Sequence, residues 1–275
     1  QRDEISAHYI YGKLAGKITD KKNAKILDRI SKDELRHYTL LRKKTGMDVK
    51  PDRAKILFFF IISRILGLTF GIKLLERDEG SAQIVYEKQS REDGAFRKLL
   101  EDEERHEQEL IGMLEEERLR YMGSVVLGLN DALVELTGAL AGYTFAFQNT
   151  RLIALTGVIT GISATLSMAA SEYLSTLHEG GEDAGKSALY TGIAYVFTVC
   201  ALVAPFLLVS NPFVSLALTL LTALFIIFIF NYYISVAKGT NFKERFFGMA
   251  AISMGVAAVS FGIGVLVKQV VGIDI

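Results

Sequence analysis

The chain has no tryptophan and a single cysteine in 275 residues, and its formal net charge is zero. One cysteine cannot form a disulfide within the chain, and it cannot build an iron centre that needs four thiolates. Cys200 lies in a strongly apolar run and reads as a small packing residue rather than a redox group. Bases and acids are interspersed without a basic block, which leaves nucleic-acid binding without an electrostatic footprint. The opening segment, beginning at Gln1, has a charged character and no signal-peptide pattern, and an initiator residue is expected to precede it.

Charge is also missing from one half of the chain. Residues 1–120 contain 25 of the 31 basic and 23 of the 31 acidic residues, so the remaining 155 positions hold only 6 and 8. The neutral total therefore conceals a charged domain, 1–120, joined to an apolar domain, 121–275. The second contains five runs, near 123–147, 151–176, 187–209, 213–237 and 246–269, each meeting the ~20-residue length of a bilayer-crossing helix. The breaks between them are too short to hold another domain. Lys238, Lys243 and Arg245 in the fourth break, with Arg118 and Arg120 before the first run, place those segments on the cytoplasmic side. Five crossings then leave the charged domain in the cytoplasm and the C-terminus outside, as in a multi-pass protein of the cell membrane.

In the charged half, Glu34-x-x-His37 is answered by Glu103-x-x-His106, and each pair sets a carboxylate and an imidazole on one helical face. Glu4 precedes Tyr11 by seven residues, and Glu79 precedes Tyr86 by the same interval. The order Glu-x6-Tyr, then Glu-x-x-His, thus occurs twice, as expected of a helix pair used twice. Four glutamates with two histidines suit two divalent transition-metal ions, because carboxylate oxygen balances the charge and imidazole favours such metals over magnesium. Iron, manganese and zinc all satisfy this donor set. Glu76, three residues before Glu79, can replace or supplement it, and His8 lies one turn after Glu4. Residues 56–75 are apolar enough to imitate a sixth span, but Arg64 and Lys73 interrupt them. They read as part of one long buried bundle helix continuing without a break into Glu79.

On these motifs residues 1–118 resemble the rubrerythrin branch of the ferritin-like family. The resemblance implies a four-helix bundle with a di-iron centre held by Glu4, Glu34, His37, Glu79, Glu103 and His106. The fold class expected is all-α, a ferritin-like bundle followed by a five-span transmembrane domain.

Within the five runs, acids occur only in the first two: Asp131 and Glu135 four residues apart on one, Glu172 on the other, four residues after Met168. Intramembrane carboxylates are costly and mark ion pathways or proton relays, and a thioether discriminates against magnesium and calcium. Gly138-x3-Gly142 and Gly157-x3-Gly161 permit close helix approach, within one chain or between two. The segments GLNDALVELTGALAG (128–142) and SMAASEYLS (167–175) are similar to the vacuolar iron transporter family. That resemblance implies a dimeric architecture in which Fe2+ or Mn2+ is exchanged for protons along Asp131, Glu135, Met168 and Glu172. The fusion as a whole resembles the erythrin/vacuolar iron transport proteins, whose ferritin-like domain takes the metal-collecting role. The other function the residues allow is a membrane-anchored ferroxidase or peroxide-scavenging enzyme, with the spans as an anchor.

Overall fold

The computed structural model describes residues 1–90, 93–113, 121–180 and 183–271, with the side chains of 79–85, 88, 90, 111, 112 and 271 left aside. Among the described residues the regular structure is entirely α-helical, in ten helices. The chain divides into two compact units, Gln1–Glu116 and Glu117–Ile275.

The first unit comprises α1 (Arg2–Ala15), α2 (Lys21–Thr45), α3 (Arg53–Leu66), α4 (Leu68–Ser90) and α5 (Gly94–Gly112). Helix α1 packs on α2, α4 on α5, α3 on both α1 and α4, and α2 meets α5. Local chemistry fixes the helix ends. Asp20 caps α2 by accepting from the Lys22 and Asn23 amides at 2.7 and 3.1 Å, and Gly46 closes it in the left-handed conformation, φ 69°, where a Cβ would be strained. Asp52 caps α3 by accepting from Ala54 and Lys55. The interior stripe of α2 runs Leu27, Ile30, Glu34, His37, Leu41, the three-and-four spacing of a core face, with the ionisable pair standing in core positions.

Residues 56–75 differ from the expectation of one continuous helix. The chain breaks at Gly67, whose φ of 104° and ψ of 153° lie outside anything an L side chain tolerates. Helices α3 and α4 close as a tight hairpin about it. Ser63 and Gly71, each four residues from the break, pack so closely that a Cβ on Gly71 would overlap the Ser63 side chain. Nor is the segment uniformly buried: Ile56, Phe59 and Ser63 face inward, whereas Leu57, Phe58, Ile61 and Ile65 are exposed.

The second unit contains α6 (Met122–Phe147), α7 (Thr150–His178), α8 (Ala184–Leu208), α9 (Pro212–Lys238) and α10 (Phe242–Val271). All five are long and apolar enough to cross a membrane, which supports a multi-pass membrane protein. Their limits fall within a few residues of the five runs read from sequence. Arg118 and Arg120 lie outside the described residues. Helix α6 is central and packs against α7, α8, α9 and α10. Around it Leu133, Leu136, Leu140, Ile153, Tyr195, Leu202 and Ile227 form one continuous core.

Small residues make this packing possible. The Gly138–Gly142 face of α6 meets Val256 and Ser260 of α10, and Gly157 and Gly161 of α7 meet Leu140, Val199 and Val203. Both glycine pairs are therefore consumed by contacts within the chain. A Cβ on Gly264 would stand 2.5 Å from the Gly142 carbonyl oxygen, whereas one on Gly248 of the same helix meets nothing within 4 Å. Gly264→Val should destabilise the membrane unit by about 1–3 kcal/mol through overpacking. Gly248→Ala should leave it unchanged within ~0.5 kcal/mol. Thermal denaturation of the detergent-solubilised chain checks both.

Candidate metal centres

Helices α1, α2 and α5 bring Glu4, Glu34, His37 and Glu103 together inside the first unit, and each offers a ligand atom within 4.8 Å of all the others. All four are buried, as is His106. His37 Nδ1 lies 3.2 Å from Glu103, 3.5 Å from Glu4 and 3.9 Å from Glu34. His106 Nδ1 lies 3.3 Å from Glu34 and 3.9 Å from Glu103. Glu34 and Glu103 thus each face both imidazoles, whose ring centroids are 5.9 Å apart. The whole cluster is assembled within one chain.

The outward sides of the two rings are tied down by residues outside the Glu-x-x-His motif. His37 Nε2 meets Asp102 at 3.2 Å, and His106 Nε2 meets Asp33 at 3.1 Å. Each aspartate directly precedes the glutamate of its own helix but serves the histidine of the other. The repeat is therefore Asp-Glu-x-Arg-His, at 33–37 and 102–106. Its arginines close the ring, Arg36 on Asp33 at 2.5 Å and Arg105 on Asp102 at 2.6 Å and on Asp33 at 3.0 Å. The repeated pattern itself is visible in the sequence, but the crossed pairing is not. A carboxylate on Nε2 fixes the ring and leaves Nδ1 as the donor toward the interior.

A metal ion fits this arrangement on chemical grounds. His37 Nδ1, His106 Nδ1 and Glu4 Oε2 are buried with carboxylates or imidazoles close by but without a well-aligned hydrogen bond, although buried polar atoms are ordinarily satisfied. They converge with carboxylate oxygens on one region, and a cation there would satisfy all of them. The cluster of Glu4, Glu34, His37 and Glu103 can hold a metal ion.

Two tyrosines lie against the carboxylates. Tyr86 donates to Glu4, and Tyr11 donates to Glu76 at 2.7 Å. Each tyrosine thus meets a glutamate of the other half of the repeat, Glu4 for Tyr86 and Glu76 for Tyr11. The side chain of Glu79 lies outside the described residues. His8 is engaged elsewhere: its Nδ1 meets the Ser31 carbonyl at 2.7 Å, and Ser31 Oγ donates to the His8 carbonyl.

Electrostatics follow from this crowding of acids. Burial, opposed by Tyr11 and reinforced by Glu103 and Glu107, raises Glu76 to about 7. Burial alone would lower His37, but Glu103 and Glu4 hold its proton and raise it to about 10. Glu4 is lowered to about 2, because His37, Glu34 and Tyr86 outweigh its desolvation. The Glu4–His37 pair in the metal-free protein accordingly stabilises the fold in a window. The Glu4 contribution is present above its ordinary 4.5 and is lost as pH falls toward 2. The His37 contribution is full below 6.5 and is lost as pH rises through 10.

In the second unit, Asp131 and Glu135 of α6 line one cavity of about 550 Å³ with Ile159, Thr160, Ser163, Ala164, Ser167 and Met168 of α7. Tyr195 of α8, fully buried, donates to Glu135 Oε2 at 3.1 Å and was not singled out from the sequence because a tyrosine in an apolar run carries no periodic signal. Glu172 lies elsewhere along the same pair of helices, where Ser124 Oγ donates to it at 2.6 Å. Three of the four residues expected on a path, Asp131, Glu135 and Met168, therefore share the cavity, and Glu172 does not. The hydroxyl of Thr160, in the cavity wall, lies 3.2 Å from that of Tyr143.

A model of the VIT family matches residues 122–182, the segment that carries α6, α7 and all these acids. The match supports a membrane domain like that of the vacuolar iron transporters, and with it transport of a metal ion. Neither a curated protein nor a solved structure matches the chain.

Because His37 is protonated at neutral pH in the metal-free bundle, a metal ion binding at Nδ1 must displace that proton. Apparent affinity for Fe2+ or Mn2+ should rise with pH, by up to about tenfold per unit for each displaced proton, until the pH passes the His37 value. Calorimetric titration in buffers of different ionisation enthalpy reads the released protons directly. Asp102→Asn should reduce affinity about 10–100-fold without removing a ligand.

Proposed function

We propose that the chain is a membrane transporter that exports Fe2+, or Mn2+, from the cytoplasm in exchange for protons, and that its first unit is a ferritin-like di-metal domain that captures or senses the same ion. The observation that carries this reading is the cavity between α6 and α7: two carboxylates and a thioether share it with three hydroxyl side chains, inside the segment matched by the VIT family. Oxygen donors compensate a hard divalent charge, and Met168 sulfur favours a transition metal over magnesium or calcium.

Each residue then has a stated task. Glu172, held by Ser124, attracts the cation on the side where α6 begins. Asp131 and Glu135 receive it in the cavity and release the proton held there, and Tyr195 fixes one oxygen of Glu135 so that the pair keeps its geometry. With Lys238, Lys243 and Arg245 on the cytoplasmic side, the first unit is cytoplasmic, the C-terminus is outside, and the host is the cell membrane. The cavity is walled by α6 and α7, and Glu135 is exposed on the surface of its helix. An acid facing hydrocarbon costs several kcal/mol, so a second copy covering this face is the favoured arrangement. The homodimer is thus supported by the uncovered acid rather than by the glycine pairs, which are already used.

In the first unit, the two histidines with Glu34 and Glu103 between them, Glu4 on one side and Glu76 on the other, support a pair of ions. Iron is the proposed occupant of this di-iron centre, with Mn2+ or Zn2+ compatible with the same donors. When bound, such a centre supplies Lewis acidity and, for iron, two electrons; the chain supplies the cradle, the outer aspartates and arginines, and two phenols. Those phenols favour a second reading, a membrane-anchored ferroxidase or peroxide-scavenging enzyme, because Tyr86 and Tyr11 are hydrogen-bonded to cluster carboxylates.

Fe2+ flux into proteoliposomes under an imposed pH gradient tests the proposal. The intact chain should give proton-coupled flux, Asp131→Asn should abolish it, and Glu34→Ala/His37→Ala should reduce it while leaving the membrane unit folded. Flux that persists in a folded Asp131→Asn protein would remove the cavity from the path. Absence of flux from the metal-loaded intact chain, together with consumption of O2 or peroxide on Fe2+ addition, would establish the enzyme instead.

A further inference from the structure

Helix α3 presents an exposed apolar face. Leu57, Phe58, Ile61 and Ile65 are 57%, 52%, 45% and 66% exposed. Leu57, Ile61 and Ile65 succeed one another at single helical turns, with Phe58 beside them, so they form one stripe. The other large apolar side chains exposed in this unit, Tyr9, Leu35 and Met47, are scattered singly, as on any soluble surface. Arg53 and Arg64, also exposed, border one edge of the stripe. The opposite side of α3 carries Lys55, which bridges Asp3 at 2.7 Å and Asp78 at 2.6 Å and anchors the helix to its own unit.

We propose that this face of α3 is a lipid-docking surface, lying in the interfacial zone of a bilayer with anionic headgroups. The fourteen residues of α3 extend about 21 Å, short of the ~30 Å hydrocarbon core, and Gly67 ends the helix, so it lies along a membrane rather than through it. An apolar stripe with arginines at its border is the pattern of an in-plane helix: the apolar side chains enter the acyl boundary, and the guanidinium groups meet phosphate. A bilayer is also always within reach, because the same chain supplies five membrane-crossing helices.

A second copy of the chain is the less favourable occupant. An antiparallel α3 pair about a two-fold axis would set the Arg53–Arg64 edge of each copy against the same edge of the other, a like-charge contact. Four half-exposed side chains also offer well under the ~1,200 Å² that specific interfaces bury.

The absence of tryptophan allows a direct test in the full-length protein. Phe58→Trp introduces the sole indole of the chain, and Ile61→Trp gives an independent probe should the first substitution disturb the bundle, with metal binding by the cluster as the check on folding. In vesicles containing phosphatidylglycerol, emission should be blue-shifted and lose intensity when lipids brominated near the headgroup end of the acyl chain are included. Arg53→Gln/Arg64→Gln should weaken that loss. Red-shifted emission quenched by iodide would overturn the proposal in favour of solvent. Blue-shifted emission insensitive to brominated lipid, and dependent on the protein-to-lipid ratio, would overturn it in favour of a second copy.

Discussion

Burial of charge away from bulk water governs both units of this protein. A carboxylate taken out of water costs several kcal/mol unless other groups compensate it. In the first unit Glu4, Glu34 and Glu103 are buried together, and the bundle tolerates them because His37 keeps a proton and because Arg36 and Arg105 neutralise the surrounding aspartates. That compensation is incomplete: the imidazole Nδ1 atoms face carboxylates at 3.2 and 3.3 Å without a well-aligned hydrogen bond. The packed stripes of α1, α2 and α5 hold these atoms at short range, so the cost of leaving them unsatisfied becomes affinity for a cation. The proton on His37 and a metal ion then compete for one atom, which couples metal loading to pH.

The membrane unit meets the same constraint with fewer groups. Asp131 and Glu135 have Tyr195 and the hydroxyl side chains of α7 for company, and no arginine or lysine stands among the residues lining the cavity. Under the proposed function the two carboxylates supply the countercharge for a divalent ion, and no basic side chain among the described lining residues competes with it. The scaffold around it is made tight by glycines. Where Gly142 and Gly264 approach, backbone meets backbone, and where Gly157 and Gly161 accept Val203 and Val199, branched side chains fill the space that a Cβ would take. The lipid-facing sides of α7 and α10 carry the exposed leucines, valines and isoleucines, the surface that a bilayer covers.

Helices, spans and the ligand types were legible from the chain because they depend on local rules. Charge depletion over runs of more than twenty residues marks a membrane segment whatever its neighbours are. Glu34, His37, Glu103 and His106 were legible because they interrupt apolar stripes at core spacing. Asp33 and Asp102 were not singled out, although they belong to the same repeat, because an exposed helix normally carries such residues and only the partner helix reveals their use. The continuous helix expected through residues 56–75 failed at Gly67, since a single glycine inside a helical pattern signals either tolerance or a break, and the choice depended on Ser63 packing against Gly71.

What the sequence by itself determined is therefore the division into a charged and an apolar half, the helical class, the five membrane segments and the chemical identity of the donors. Each follows from composition or from a period of a few residues. Tertiary structure alone decided which side chains meet: that Asp33 serves His106 and Asp102 serves His37, that Tyr11 meets Glu76 and Tyr86 meets Glu4, that Glu172 stands apart from the cavity shared by Asp131, Glu135 and Met168, and that the glycine faces are spent within the chain. These are relations between side chains far apart in sequence, fixed by how rigid helices pack. No local pattern encodes the angle and depth at which one helix meets another.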